Sequence, residues 1–294
     1  MDSALSTVGL PVALGIIMLG LGLSLTVEDF RQVARHPRAV VVALACQLLL
    51  LPAVCFGLVL TLDLEPVLAV GLLILAASPG GTTANLFSHL FRGDVALNVS
   101  LTAINSVIAI VSLPLIANLA LGYFSLDDQV SLQFSKVLEV FAIVLVPVGL
   151  GMLIRARRAA FAARMDRPVR LASAIVLLLV IVGVVASTGS DAWDYLARAG
   201  VAAAGFCVLS LVVGYVVPRL AGLSDPQAVA SSFEIGVHNA TLAIYVGVEV
   251  LDSVELSVPA AVYGLVMFPL AAAWGLLLTR VLLPRRSDDA VPAP

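Results

Sequence analysis

A chain of 294 residues that is 61% hydrophobic, only 12% charged and formally −3 in net charge has too few charges to solvate itself, since a soluble domain carries about twice that charged fraction. With a mean hydropathy of +1.10 and apolar runs from end to end, the composition excludes a soluble globular domain and indicates an all-α polytopic membrane protein. The expected partners are the lipid bilayer and small solutes, not nucleic acid.

Apolar runs of bilayer length lie at roughly 5–25, 39–60, 67–90, 95–120, 133–154, 169–189, 199–218, 227–250 and 257–283, which predicts about nine spans. The first run has no basic residue ahead of it and is followed by Glu28 and Asp29. It reads as a span and not as a cleaved leader. Cys46, Cys55 and Cys207 sit inside apolar runs without paired spacing, as small buried side chains do. The last stretch, SDDAVPAP from Ser287, is short and polar and is expected to be disordered.

Charge sorts between the breaks. Arg31, Arg35 and Arg38 follow the first span and Arg92 the third. Arg155, Arg157, Arg158, Arg164, Arg167 and Arg170 fill what reads as the longest loop, and Arg219, Arg280, Arg285 and Arg286 follow the seventh and ninth spans. The alternate breaks hold Asp63, Glu65, Asp127, Asp128, Asp191, Asp194, Glu249, Asp252 and Glu255, with only Lys136 and Arg198 near them. By the positive-inside rule the N-terminus is outside and the C-terminus cytoplasmic, in the inner (plasma) membrane of a cell. No appended soluble domain is expected, so the chain from 1 to 294 is one membrane unit and its function lies among the helices.

Two spans break the pattern of featureless apolar helices. The third contains AASPGGTTANLFSHLF, residues 76–91. Pro79 removes a backbone donor and clashes with the preceding turn, Gly80 and Gly81 do not favour continuation, and Thr82, Thr83 and Asn85 follow. The eighth contains FEIGVHNATLAI, residues 233–244, with Glu234 and His238 four apart on one helix face and Gly236 between them permitting an interruption. An opening there would free the carbonyls of Ile235 and Val237 as oxygen ligands of the kind hard cations take. The two spans run in opposite directions, as an inverted repeat requires, and paired interrupted helices point to a transporter site. Gln47 lies mid-span in the second run, and Asn98, Thr102 and Asn105 form a polar stripe along the fourth.

SPGGTTANLFSHLFRGDVALNVSLTAINS, FEIGVHNATLAI and GIIMLGLGLSLTVEDFRQVARHPRAVVVALACQLLLLP together resemble the bile acid:sodium symporter family, its bacterial members included. The resemblance runs over nearly the whole chain. It implies inverted repeats arranged as a panel domain, here spans one, five and six (about 5–25, 133–154 and 169–189), against a core of the other six, with two crossing discontinuous helices. It implies two sodium ions behind the crossing: one at Asn85, Thr102 and Glu234 with the positions of Ala84 and Asn98, the other at Gln47, Glu234, His238 and the carbonyls of Ile235 and Val237. It places substrate near Asn239 and the turn Pro79, Gly80, Gly81, Thr82, Thr83. Many relatives carry a hydroxyl at the positions of Ala84 and Asn98, and Gln at that of His238. Imidazole nitrogen suits transition metals better than sodium, which puts the second ion site in doubt.

The function this implies is sodium-coupled import of a small organic anion, bile-acid-like or another carboxylate, by alternating access, with no cofactor and no catalytic residue. One rival couples uptake to protons through Glu234 and His238. A more distant rival is an intramembrane hydrolase built from Ser78, His238 and Glu234.

Overall fold

The structure is a computed structural model that describes residues 9–126, 134–187 and 192–283. The expected breaks at Asp127 and Asp128 and at Asp191, and the tail from Ser287, lie outside these residues, as do the side chains of Thr82, Lys136 and Asp194.

The described residues are helical between short turns. In chain order the helices are α1 (Leu10–Ser24) and α2 (Val27–Arg35), α3 (Pro37–Thr61), α4 (Pro66–Ala77) and α5 (Thr82–Leu90), then α6 (Val95–Tyr123), α7 (Phe134–Arg157), α8 (Ala159–Ser187) and α9 (Ala192–Leu220). Next come α10 (Asp225–Gly236), α11 (Ala240–Val250) and α12 (Glu255–Leu282). Four described segments are long and apolar enough to cross a membrane: Pro37–Thr61, Val95–Tyr123, Ala197–Leu220 and Glu255–Leu282. Leu10–Ser24, Pro66–Ala77 and Ala240–Val250 are shorter apolar helices. Outward-facing Leu49 and Val111 are 72% and 71% exposed, which is tolerable only against lipid.

Two expectations are corrected. The Arg-rich stretch from Arg155 to Arg170 is not a loop: α7 runs to Arg157 and α8 begins at Ala159. Ala, Met and Arg are strong helix formers, so these helices continue beyond their apolar runs. The break after the first span is likewise occupied by α2, a short amphipathic helix packed on α6 and tied to it by a hydrogen bond from Ser100 Oγ to Asp29 O. Arg198, the basic residue out of place in the charge pattern, pairs with Glu65 at 2.8 Å, an exposed pair that contributes little to stability.

Several helices end alike. Asp63, Arg92, Ser125 and Gly222 take left-handed backbone conformations, and the following N–H reaches back five residues: Leu64 to Val59, Gly93 to Ser88, Leu126 to Leu121 and Leu223 to Pro218. This closure satisfies carbonyls that a helix end otherwise leaves open.

Helix α1 packs along α7 and α8. The approach is close because small residues line it: a methyl at Gly22 would stand 2.2 Å from Val148 O, and one at Gly151 2.6 Å from Leu19 O. Apolar burial drives little helix association inside lipid, so such backbone proximity matters there. Helix α9 packs against α10 and α12, and α5, α6 and α10 pack on one another.

Candidate functional site

Each break has a local cause. Ser78, preceding Pro79, is forced out of the helical region to φ −74°, ψ 146°, which ends α4. In the second case α10 remains helical through Gly236 and opens at Val237–Asn239. The interruption is therefore not at Gly236 as expected. That glycine is a packing residue, since a methyl on it would stand 2.4 Å from the Leu211 side chain. Helix α11 restarts after Asn239, whose Oδ1 accepts from Leu242 N as an N-cap.

The two breaks cross and pair. Gly81 N donates to Val237 O and Asn239 N to Pro79 O, both at 2.8 Å, around an antiparallel bridge between Gly80 and His238. His238 Nδ1 lies 3.2 Å from Ser78 O, so the neutral ring carries its proton on Nδ1. Gln47 sits where Pro52 disturbs α3. A wide π turn spans Cys46–Leu50, as is frequent at functional sites, and Gln47 Nε2 donates to Ala76 O at 3.2 Å and Ser78 O at 3.0 Å.

Below the crossing lies Glu234, 2% exposed. Its Oε2 accepts a short hydrogen bond from Thr102 Oγ1. Gly80 makes room for it: a methyl there would stand 2.5 Å from the carboxyl group. Asn98 Nδ2 donates to Ala230 O at 2.6 Å. What is left over defines the site. Glu234 Oε1, Asn85 Oδ1, Asn98 Oδ1 and Gln47 Oε1 are buried acceptors without a hydrogen-bond partner. A buried acceptor without a donor costs roughly 1–3 kcal/mol, and four oxygens here carry that cost. Among the described residues no three His, Cys, Asp or Glu side chains converge on a metal position; the open oxygens belong to amides and one carboxylate, the oxygen type that hard cations take.

Thus Thr102 meets Glu234 directly, Asn98 reaches α10 one turn from it at Ala230 O, Asn85 lies on α5, which packs against both helices, and Ala84, fully buried, has only its backbone to offer. Gln47 and His238 meet across Ser78 O. The two expected backbone ligands differ. Val237 O is engaged by Gly81 N, whereas Ile235 O has lost its helical donor because Asn239 N, four residues on, donates to Pro79 O. His238 and Glu234 make no hydrogen bond to one another: His238 Nε2 and Glu234 Oε1 are both unpartnered, and the ring stacks on Phe206 with centroids 5.6 Å apart. A hydrolytic triad is absent among these residues. Ser78 Oγ donates to Leu75 O, and His238 touches Ser78 only at its carbonyl.

Pro79 and Gly80 are buried and Gly81 and Thr83 half-buried at the crossing. None of them lines the small apolar cleft that lies between α6, α7 and α11 and starts one turn beyond Asn239 at Leu242. Ser106, Ile110, Leu113, Val140, Val144 and Leu242 line it, and Ser106 Oγ is turned back to Thr102 O, so the walls are apolar.

The chain is similar to known proteins over most of its length. It is 29% identical to a probable sodium/metabolite cotransporter of rice chloroplasts (Oryza sativa subsp. japonica) over 85% of this chain and 59% of the relative. It is 28% identical to an uncharacterized sodium-dependent transporter of Bacillus subtilis, over 79% of this chain and 71% of the relative, and 26% identical to the human ileal sodium/bile acid cotransporter, over 81% and 68%. The chain thus spans about three fifths of the rice relative's length. A family model described as the sodium bile acid symporter family matches residues 11–192, and with its apolar helices and paired broken segments the chain belongs to that family of membrane transporters.

Proposed function

We propose that the protein is a sodium-coupled symporter that imports a small organic anion by alternating access. The observation that carries this reading is the set of unpartnered buried oxygens around Glu234: a site that leaves several acceptors unsatisfied is built for a cation that the fold itself lacks. Sodium at Glu234, Asn85, Asn98 and Thr102, with Ala84 contributing its backbone, neutralises the carboxylate and locks α5 to α10. A second ion at Gln47, Glu234, Ile235 and His238 would have Gln47 Oε1 open to it and an imidazole nitrogen where an oxygen would serve sodium better. The sodium-dependent relatives support this ion as the coupling species.

The substrate's carboxylate would sit by Asn239 and the Pro79–Thr83 turn, and its apolar body along the apolar cleft between α6, α7 and α11, which would have to widen to admit it. Relatives named for bile acids and for metabolites leave the class at organic anions. The close packing of α1 on α7 and α8 supports a panel of three spans rocking against a core of six. Opposite running directions of the two broken spans support inverted repeats, and the charge pattern supports an outside N-terminus in a plasma membrane.

The test is the thermal stability of the purified protein in sodium against potassium or choline salts, followed by uptake of organic anions into proteoliposomes under imposed sodium or proton gradients. Sodium should raise the melting temperature by mass action and its gradient should drive uptake. Uptake driven by protons alone would replace this reading with proton coupling through Glu234 and His238.

A further inference from the structure

Ser88 belongs to no part of the site described above, yet its surroundings point at that site. It is fully buried, and its Oγ has no hydrogen-bond partner. A serine in a helix ordinarily returns its hydroxyl to the carbonyl four residues back. Ser100 does so to Ala96 O, Ser106 to Thr102 O and Ser210 to Phe206 O, all at 2.7 Å; Ser88, like Ser112 and Ser231, does not. A buried hydroxyl left open costs free energy that alanine would not.

Its place in the fold supplies a reason. On α5, Ser88 is one turn beyond Asn85, toward the Arg92 end of the helix. On α6, Thr102 and Asn98 are four apart on one face, and Asp94, four residues before Asn98, is the N-cap of the helix. On α10, Glu234, Ala230 and Gln227, four and three apart, also share one face. These three helices pack together. Buried oxygens without a partner stand on all three, at Glu234 Oε1 and Ser231 Oγ on α10, Asn85 Oδ1 and Ser88 Oγ on α5 and Asn98 Oδ1 on α6, and the Asp94 carboxylate, holding Leu97 N at 3.0 Å, caps the start of α6. One turn of chain closes that end. Arg92 adopts φ 62°, Gly93 N donates to Ser88 O at 2.7 Å and Asp94 N to Pro226 O at 2.8 Å. Gly93 is seated so tightly that a methyl on it would stand 3.1 Å from Ser88 Cβ and from Val229, and 3.2 Å from Ala230 N.

We infer that Ser88 is the next oxygen on the coupling cation's path to the Arg-rich, cytoplasmic side, and that the Arg92–Asp94 turn is the plug that lifts to release it. This rests on the cation-coupled reading above. The ligand is a small monovalent cation shedding and regaining water: the side-chain oxygens replace hydration one at a time, and the Asp94 charge favours the ion at the mouth. With the turn seated, a hydrated ion has no way past Ser88.

The experiment is cysteine substitution at Ser88, an isosteric change, in membrane vesicles of defined orientation. An impermeant cationic methanethiosulfonate should modify Ser88→Cys from the cytoplasmic face and not from the outside, with mass spectrometry separating the adduct from Cys46, Cys55 and Cys207. Sodium at about ten times its dissociation constant should slow the labelling about tenfold. A cysteine inert from the cytoplasmic face, or equally reactive from outside, or insensitive to sodium, overturns the path. Ser88→Ala gives a second measurement that does not need the cysteine: it should slow release of radiolabelled sodium into sodium-free buffer while leaving the dissociation constant unchanged, and unchanged release overturns the proposal. If sodium fails to stabilise the wild-type protein, the transport reading itself falls. If sodium stabilises the wild type and the Ser88 variants behave as the parent, the path alone falls.

Discussion

Replacing Gly80 by alanine tests the cation site with a single methyl group. Gly80 does not take a left-handed backbone conformation, so alanine can adopt its geometry and the effect is one of contact. The new Cβ would stand 2.5 Å from Cδ and both oxygens of Glu234, where about 3.5 Å is an ordinary separation. The carboxyl group must retreat by about 1 Å, and Thr102 Oγ1 already holds its Oε2 in a short hydrogen bond. Overpacking of this kind costs about 1–3 kcal/mol. If the displaced carboxylate bears the cost, sodium affinity falls by roughly 5- to 150-fold. Gly81→Ala is the control, because its added methyl has no neighbour nearer than 3.6 Å. Sodium titrations followed by thermal unfolding should separate the two, with the midpoint moved by Gly80→Ala and held by Gly81→Ala. An unmoved midpoint in Gly80→Ala, or the same loss in both, would refute the claim that Gly80 is glycine to admit the carboxylate.

The two asparagines should part in the same assay. Asn98 holds Ala230 O as well as offering an oxygen, so Asn98→Ala should lower stability without sodium by about 1 kcal/mol in addition to weakening sodium binding. Asn85→Ala removes an oxygen with no partner and should weaken sodium binding without lowering the sodium-free melting temperature, which the lost desolvation cost favours. His238→Gln keeps a donor for Ser78 O and places an amide oxygen where Nε2 now stands. Sodium binding should tighten in isothermal titration, and weakening would mean that the imidazole itself serves the ion. Trp274→Phe removes the bond from Nε1 to Ser232 Oγ (2.9 Å) and should cost about 1 kcal/mol of stability in chemical unfolding with the sodium midpoint unmoved.

Much of the frame was legible because membrane helices announce themselves by apolar length and breakers by residue type. Pro79 followed by two glycines marks one break unambiguously. The Asn98–Thr102–Asn105 stripe follows from spacing alone, though not that Asn98 would also tie α6 to Ala230 O. The second break was misplaced by a residue or more, since glycine at 236 offered itself as the weak point when its small size was needed against Leu211. What opens the helix is Asn239, which turns its backbone N–H to Pro79 O and its side chain to the next turn. Neither act is visible without the partner strand. Arg155 to Arg170 misled for a different reason: hydropathy reports where a helix leaves lipid, not where it ends. Gly80 was read as part of the substrate turn and not as room for a carboxylate, and Ser88 was unreadable as a functional position, because their meaning lies in neighbours distant in sequence or beyond the helix, Glu234 for one and Gly93 for the other.

Neither broken helix could persist alone. Each break strips carbonyls of their helical donors, and in lipid no water replaces them. At the crossing Pro79 O and Val237 O are satisfied by the opposite chain, Ser78 O by Gln47 and His238, and Gly236 O by Tyr263 at 2.8 Å. The backbone is thereby nearly self-sufficient, so the crossing can form before any ion arrives and serve as a rigid pivot. The side chains one turn away are not self-sufficient, and it is their oxygens that stand open. On the proposed reading, an ion entering there would not hold the breaks together. It would join α5 and α6 to α10 through Asn85, Thr102 and Glu234. Its binding energy would then be available to bias how the three helices pack, which is what coupling an ion gradient to alternating access requires.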